Sequence, residues 1–183
     1  MRKLPILFGL TLLLTSVFYS CEVDNCPPNA RAFAHFAFTD DKGNAIKLLD
    51  TLTVIGEITA NVKVEEKQPD GSVTERIVYD SLIRDTLINL LSDIDHIKVP
   101  LSYQPNTKLV LEYKQQKRAD TIKLEHQNKP YFYNIDCGTM MFYEVTSIEA
   151  TNRVLDSISI TNPNIDNNEK ENFKIHFTTP AAE

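Results

Sequence analysis

Asn61-Val62-Lys63-Val64-Glu65, then Pro69-Asp70-Gly71-Ser72, then Val73-Thr74-Glu75-Arg76-Ile77-Val78-Tyr79 reads as two strands joined by a turn. Val62 and Val64 alternate with polar neighbours in the period of two that a half-buried strand requires. Pro69 presets its own φ, Asp70 bonds readily to nearby backbone, and Gly71 enters left-handed conformations at no steric cost. The Val-, Thr-, Ile- and Tyr-rich run after the turn is β-prone, and together these signals specify a hairpin.

The same grammar extends outward. Ala32–Phe38 alternates, with Ala34, Phe36 and Phe38 on one face and Phe33, His35 and Ala37 on the other, before the turn-forming Asp40-Asp41-Lys42-Gly43-Asn44. Leu52–Ile58 forms a further strand. Downstream, Leu87, Leu90, Leu91 and Ile94 recur at helical spacing behind the capping candidates Asp85 and Thr86, a pattern open to either a short helix or strand and loop. Ile97, Val99 and Leu101 share one face of a strand that Pro100 confines to an edge or an end. Lys108–Tyr113 and Thr121–Glu125 flank the polar connection Lys114–Ala119, read as a solvated turn rather than an anion site. Tyr131-Phe132-Tyr133 and Met140-Met141-Phe142-Tyr143 flank Cys137-Gly138, and Ser157–Thr161 and Phe173–Phe177 close the chain around a polar loop. About nine or ten short strands with little helix predict an all-β fold, an antiparallel two-sheet sandwich, with an immunoglobulin-like form favoured. The absence of Trp and the wide cysteine spacing depart from immunoglobulin domains, so the expectation concerns architecture only.

The N-terminus decides location. Arg2 and Lys3 precede an apolar run from Leu4 to Phe18, and Ser20 leads into Cys21 and an abruptly polar Glu22-Val23-Asp24-Asn25. This is the pattern of a cleaved signal peptide, too short for the roughly 20 residues of a spanning helix. Ser20-Cys21 resembles the lipobox of bacterial lipoproteins, although Phe18 and Tyr19 stand where Leu and a small residue are usual. The resemblance implies acylation of Cys21, and several acyl chains hold a protein at a membrane far more firmly than one. The expected organisation is a lipoprotein signal peptide at 1–20, a lipidated N-terminus and linker at 21–30 and a β-sandwich domain at 31–179.

Removing the signal takes Arg2 and Lys3 from the 19 basic residues, so 17 stand against 25 acidic ones and the formal charge becomes −8. That charge disfavours nucleic acid as a partner. With Cys21 acylated, Cys26 and Cys137 are the remaining pair in an oxidising compartment and are expected to form a disulfide. Cys26 lies five residues beyond Cys21, within roughly 18 Å even when extended, so such a bond keeps the domain close to the membrane.

Catalytic and metal motifs are weak. His35, His96, His126 and His176 are scattered without metal-ligand spacing, and His35, among Phe residues, reads as packed or edge-exposed rather than ligating. Asn164, Asp166 and Asn168 resemble the start of a calcium loop, but Glu169 and Ile175 stand where Gly and a bidentate Glu are required. Asp93 and Asp95 form a close carboxylate pair, and general acid–base work there requires one of them to be desolvated. The expectation is therefore a non-enzymatic binding or assembly module with no cofactor and no metal. A structural envelope component and a hydrolase using Asp93 and Asp95 are the alternatives. The aromatic segments discriminate: if Tyr131, Tyr133, Met141 and Tyr143 share one exposed face, partner binding gains, and if they alternate into the core, scaffolding gains.

Cys21, Cys26-Pro27-Pro28, Asp50-Thr51-Leu52 and Cys137-Gly138 together resemble small uncharacterised Bacteroidetes outer-membrane lipoproteins, which implies a strand-rich fold and anchorage at the outer membrane, on its periplasmic face or at the cell surface. The partners expected of a binding or assembly module are the membrane, through the lipid, and an envelope protein. One tripeptide recurs as Asp50-Thr51-Leu52, Asp80-Ser81-Leu82, Asp85-Thr86-Leu87, Asp120-Thr121-Ile122 and Asp156-Ser157-Ile158. Asp followed by Ser or Thr makes a good turn exit, so the pattern is expected to mark strand starts. It also resembles the O-glycosylation sequon of Bacteroidetes, which implies Thr51, Ser81, Thr86, Thr121 and Ser157 as acceptors.

Overall fold

The computed structural model describes Cys26 and residues 31–178. The expected signal peptide at 1–20, the lipid-bearing Cys21 and the linker apart from Cys26 lie outside the described residues. Ten strands are formed: β1 (Phe33–Thr39), β2 (Leu52–Lys67), β3 (Val73–Leu91), β4 (His96–Pro100), β5 (Asn106–Tyr113), β6 (Arg118–Asn134), β7 (Gly138–Ala150), β8 (Ser157–Ile160), β9 (Asn164–Ile165) and β10 (Phe173–His176). They make two sheets, one in the order β4-β1-β10-β8 and one in the order β3-β2-β5-β6-β7-β9. All pairings are antiparallel except β1 with β10, where Phe36 lies opposite Phe173 and Phe38 opposite Ile175. The expected all-β sandwich is the fold. Among the described residues no helix is long and apolar enough to cross a membrane.

Alternation builds the core. Ala34, Phe36 and Phe38 of β1, Ile97 and Val99 of β4, and Phe173 and Ile175 of β10 point from the smaller sheet. They meet Leu52 and Val54 of β2, Leu109 and Leu111 of β5, Ile122 and Leu124 of β6, and Tyr143 and Val145 of β7. Each large apolar side chain buried in this layer contributes about 1.5–3 kcal/mol relative to exposure. Phe36 stacks on Phe173 with ring centroids 4.5 Å apart, and Phe38 meets Phe177 edge-on at 5.7 Å.

Residues 85–94 do not form a helix. β3 continues to Leu91, and the helix-like spacing comes from irregular pairing: Ile55 faces Thr86 while Val54 faces Ile88, so Leu87 is an extra residue on its strand. Such a bulge shifts the phase of the pleat, so apolar residues on one side of a strand no longer recur at every second position. Leu87 covers Gly56, where a Cβ would lie 3.3 Å from Leu87 Cδ1. The segments read as separate strands at 52–58 and 61–65 are likewise one strand, carried through a further irregularity between Ala60 and Val62.

β2, β3, β6 and β7 outrun the sandwich. Leu52 lies opposite Tyr113, and Tyr113 opposite Arg118, so β2 and β6 run in the same direction and both hairpins leave the same end of the larger sheet.

Candidate binding surface

The first arm exposes apolar side chains on an unpaired edge. β3 is the outermost strand of its sheet, and Val73, Ile77, Tyr79, Leu82, Leu90 and Leu91 along it are all exposed. At the arm's base, a cleft of about 480 Å³ opens between Gly56, Ile58, Ile83 and Leu87 on one side and Leu101, Tyr103 and Leu109 on the other. Glu57 sits at its wall with 8% of its side chain exposed, accepting from Lys108 Nζ at 2.7 Å and pairing with Arg84 Nε at 3.0 Å. The Lys108 hydrogen bond, aided by both positive charges, holds the Glu57 carboxyl below its ordinary range. The cleft is thus largely apolar, with the Glu57 charge paired at its wall. Such a surface suits the burial of an apolar side chain or an extended peptide.

The loop that closes the cleft is fixed from beneath by His126. Its Nε2 lies 2.9 Å from Thr107 Oγ1, which accepts from Ser102 N at 2.9 Å, and its Nδ1 lies 2.8 Å from Asn128 Oδ1. Asn128 Nδ2 in turn donates to Tyr103 O at 2.6 Å. With Asn128 Oδ1 as the acceptor, Nδ1 carries a proton, and in the neutral ring Nε2 accepts the Thr107 hydroxyl. Burial pushes its pKa down.

The second arm ends in the predicted disulfide. Cys26 and Cys137 are bonded, with Cα atoms 5.3 Å apart. Gly138 takes φ +73° after the turn, and Cys137 N donates to Asn134 Oδ1 at 2.7 Å. The aromatic set considered from sequence divides by pleat parity. Tyr131 and Tyr133 emerge together beside Phe142, with Tyr131 and Phe142 stacked at 5.2 Å, whereas Tyr143 is buried in the core and Met141 packs against it. Phe132 and Ile135 are also exposed, and neither was included in that set.

Asp93 and Asp95 do not converge on a common point. Asp93 pairs with Lys47 at 3.1 Å in solvent, and Asp95 is held below its ordinary pKa chiefly by the His96 Nδ1 contact at 2.5 Å. A general acid needs the opposite shift. His35 packs edge-on to His96 with centroids 4.8 Å apart, and burial lowers its pKa. Among the described residues no group of three His, Cys, Asp or Glu is arranged to hold a metal ion.

The recurrent tripeptides occupy several settings. Thr51 immediately precedes β2 and Ser157 opens β8, as expected of strand starts, but Ser81 and Thr86 lie within β3 and Thr121 within β6. Two of the three aspartates there have other roles. Asp80 adopts φ +52° opposite the β2 irregularity, and Asp120 is a buried acceptor. Thr86 and Ser157 are exposed, whereas Thr51, Ser81 and Thr121 are half-buried.

No curated protein and no solved structure matches the chain. A family model matches residues 76–177, more than half of the sequence, from within β3 to the end of the last strand. The chain belongs to this family of unknown function, DUF6452.

Proposed function

We propose that the protein is an envelope lipoprotein, anchored through acylated Cys21 at the outer membrane, that acts as a non-enzymatic binding or assembly module for another envelope protein. The observation that carries the binding role is the first arm: an unpaired edge strand lined with exposed apolar side chains, rooted beside an apolar cleft. Exposed strand edges of this length recruit further strands unless they are covered, and the cleft would take an apolar side chain of the incoming segment. The anchor rests on the resemblance of Ser20-Cys21 to a lipobox. Radiolabelled palmitate should enter the native protein, and Cys21→Ala should release it from the membrane fraction. Unchanged fractionation of that variant sinks the anchor.

Partner binding is tested by a photo-crosslinking residue at Leu82, compared with one at Gln116 in the turn at the opposite end of the larger sheet. A discrete adduct from Leu82 alone, in intact envelopes, supports the module. Its absence from both positions moves the reading to a structural component. Of the five glycan acceptors, the exposed Thr86 and Ser157 are the most accessible. An intact mass equal to lipid plus polypeptide removes glycosylation altogether.

A further inference from the structure

Every residue from Tyr131 to Ile135 except Asn134 exposes a large apolar or aromatic side chain, with Ile135 91% and Phe132 62% exposed. Isolated apolar residues on a surface are ordinary, but these are contiguous and occupy the tip of a projecting hairpin on both faces of its ribbon. The tip is also the point at which Cys26 is covalently attached. We infer that the tip of the β6–β7 arm is seated in the interfacial layer of a phospholipid bilayer, so that the protein touches its membrane at two linked points, the acyl chains and the hairpin. This rests on the anchor proposed above.

Covalent reach favours lipid as the occupant. Cys21 is five residues from Cys26, so the acyl chains lie within roughly 18 Å of the bonded cysteine even if the intervening chain is fully extended. An apolar tip tethered this closely meets the bilayer at high effective concentration, before it meets any protein diffusing past. The side chains match the depth profile of an interface: Tyr131 and Tyr133 keep a hydroxyl for the headgroup layer while their rings lie deeper, and Phe132 and Ile135 have no polar group to keep wet.

Charge further defines the lipid. No Lys or Arg occurs between Pro130 and Met141, Lys129 is paired with Glu144, and Asp136, Glu22 and Asp24 are acidic. Anionic headgroups are therefore not recruited, and the contact is apolar with zwitterionic phospholipid.

The absence of Trp from the chain makes the test direct. Acylated, oxidised protein carrying Ile135→Trp, Phe132→Trp or Gln116→Trp is reconstituted in vesicles of phosphatidylcholine brominated along its acyl chains. The expected result is a blue-shifted emission and loss of about half of it or more for the two tip variants, with Gln116→Trp unaffected, and no gain on adding phosphatidylglycerol. Protein mass reports the acyl chains separately. Lipid on Cys21 with an unquenched Ile135→Trp overturns the seat and leaves the anchor standing. A mass lacking lipid overturns the anchor, and the seat with it. A blue shift without quenching, accompanied by doubling of the particle mass, means that a second copy covers the tip and also overturns the seat.

Discussion

Asp120 accepts four hydrogen bonds: from Thr151 Oγ1 at 2.9 Å, Arg153 N at 2.7 Å, Val154 N at 2.9 Å and Leu155 N at 3.0 Å. It thereby fixes the connection between β7 and β8. Asp120→Ala removes the acceptor and leaves buried Leu155 N without its partner, so stability should fall by on the order of 3 kcal/mol in denaturant titration. Asp50 does the same for the turn after β5, accepting from Gln115 N at 2.8 Å. Tyr113 presents the reverse case. Its ring is buried against Phe177 but its hydroxyl has no partner among the described residues, and burial together with Asp120 and Asp50 pushes its pKa far up. Tyr113→Phe should therefore leave the melting temperature unchanged or raise it, by up to about 1 kcal/mol of stability. His126 supplies a pH dependence. Its folded pKa is depressed, so the unfolded chain binds the extra proton, and stability present above the unfolded value near 6.5 is lost as pH falls below it. His35 acts in the same direction. The denaturation midpoint should drop between pH 7.5 and pH 5.5, and His126→Gln should flatten that slope; an equal slope in both proteins assigns the titration elsewhere.

The arms have a different stability from the sandwich they leave. β5 and the first half of β6 alternate buried and exposed positions beneath a second sheet, whereas the distal halves of β2 and β3 are exposed almost throughout. Backbone ladders without buried apolar contacts open at low free-energy cost. Hydrogen exchange should therefore deprotect peptides within 61–80 well before those within 109–124, and simultaneous exchange would mean that the arm is covered. The same difference governs what was legible in the sequence. Strands with one buried face, such as Ala34-Phe36-Phe38 or Phe173-Ile175-Phe177, declare themselves through period two. The hairpin at 61–79 was legible from its turn, but its continuity from Leu52 through to Leu91 was not, because bulges break the alternation and the distal arm has no buried face to enforce one. The bulge at Leu87 even produced a helical spacing. At the candidate surface, Cys26 and Cys137 followed from cysteine arithmetic, and Tyr131 and Tyr133 from their density. The cleft was hidden because its walls come from β2, β3, β5 and a loop more than forty residues downstream of β2's entry into it, and nothing local marks that meeting.

At the scale of the whole molecule, the disulfide joins the segment before the first strand to the far end of an arm, across a separation of 111 residues. Loop-closure entropy alone predicts a stabilisation of about 5 kcal/mol for a loop of this size. That estimate assumes that the two cysteines are held equally well in the native state when the bond is absent. Here they are not, because the β6–β7 tip projects from the core with Phe132 and Ile135 outside the packed interior, and a reduced tip would regain freedom without unfolding the sandwich. The freedom regained by the reduced native state subtracts from the benefit, and the staple should be worth less than about 4 kcal/mol. Denaturant titration of the oxidised protein against the double variant Cys26→Ser, Cys137→Ser measures it. The expected signature is a modest fall in midpoint, with new hydrogen exchange confined to about residues 128–143 while 109–124 stay protected. A loss of the full loop-closure amount would show that the arm keeps its position without the bond, and that the staple acts on the unfolded chain alone.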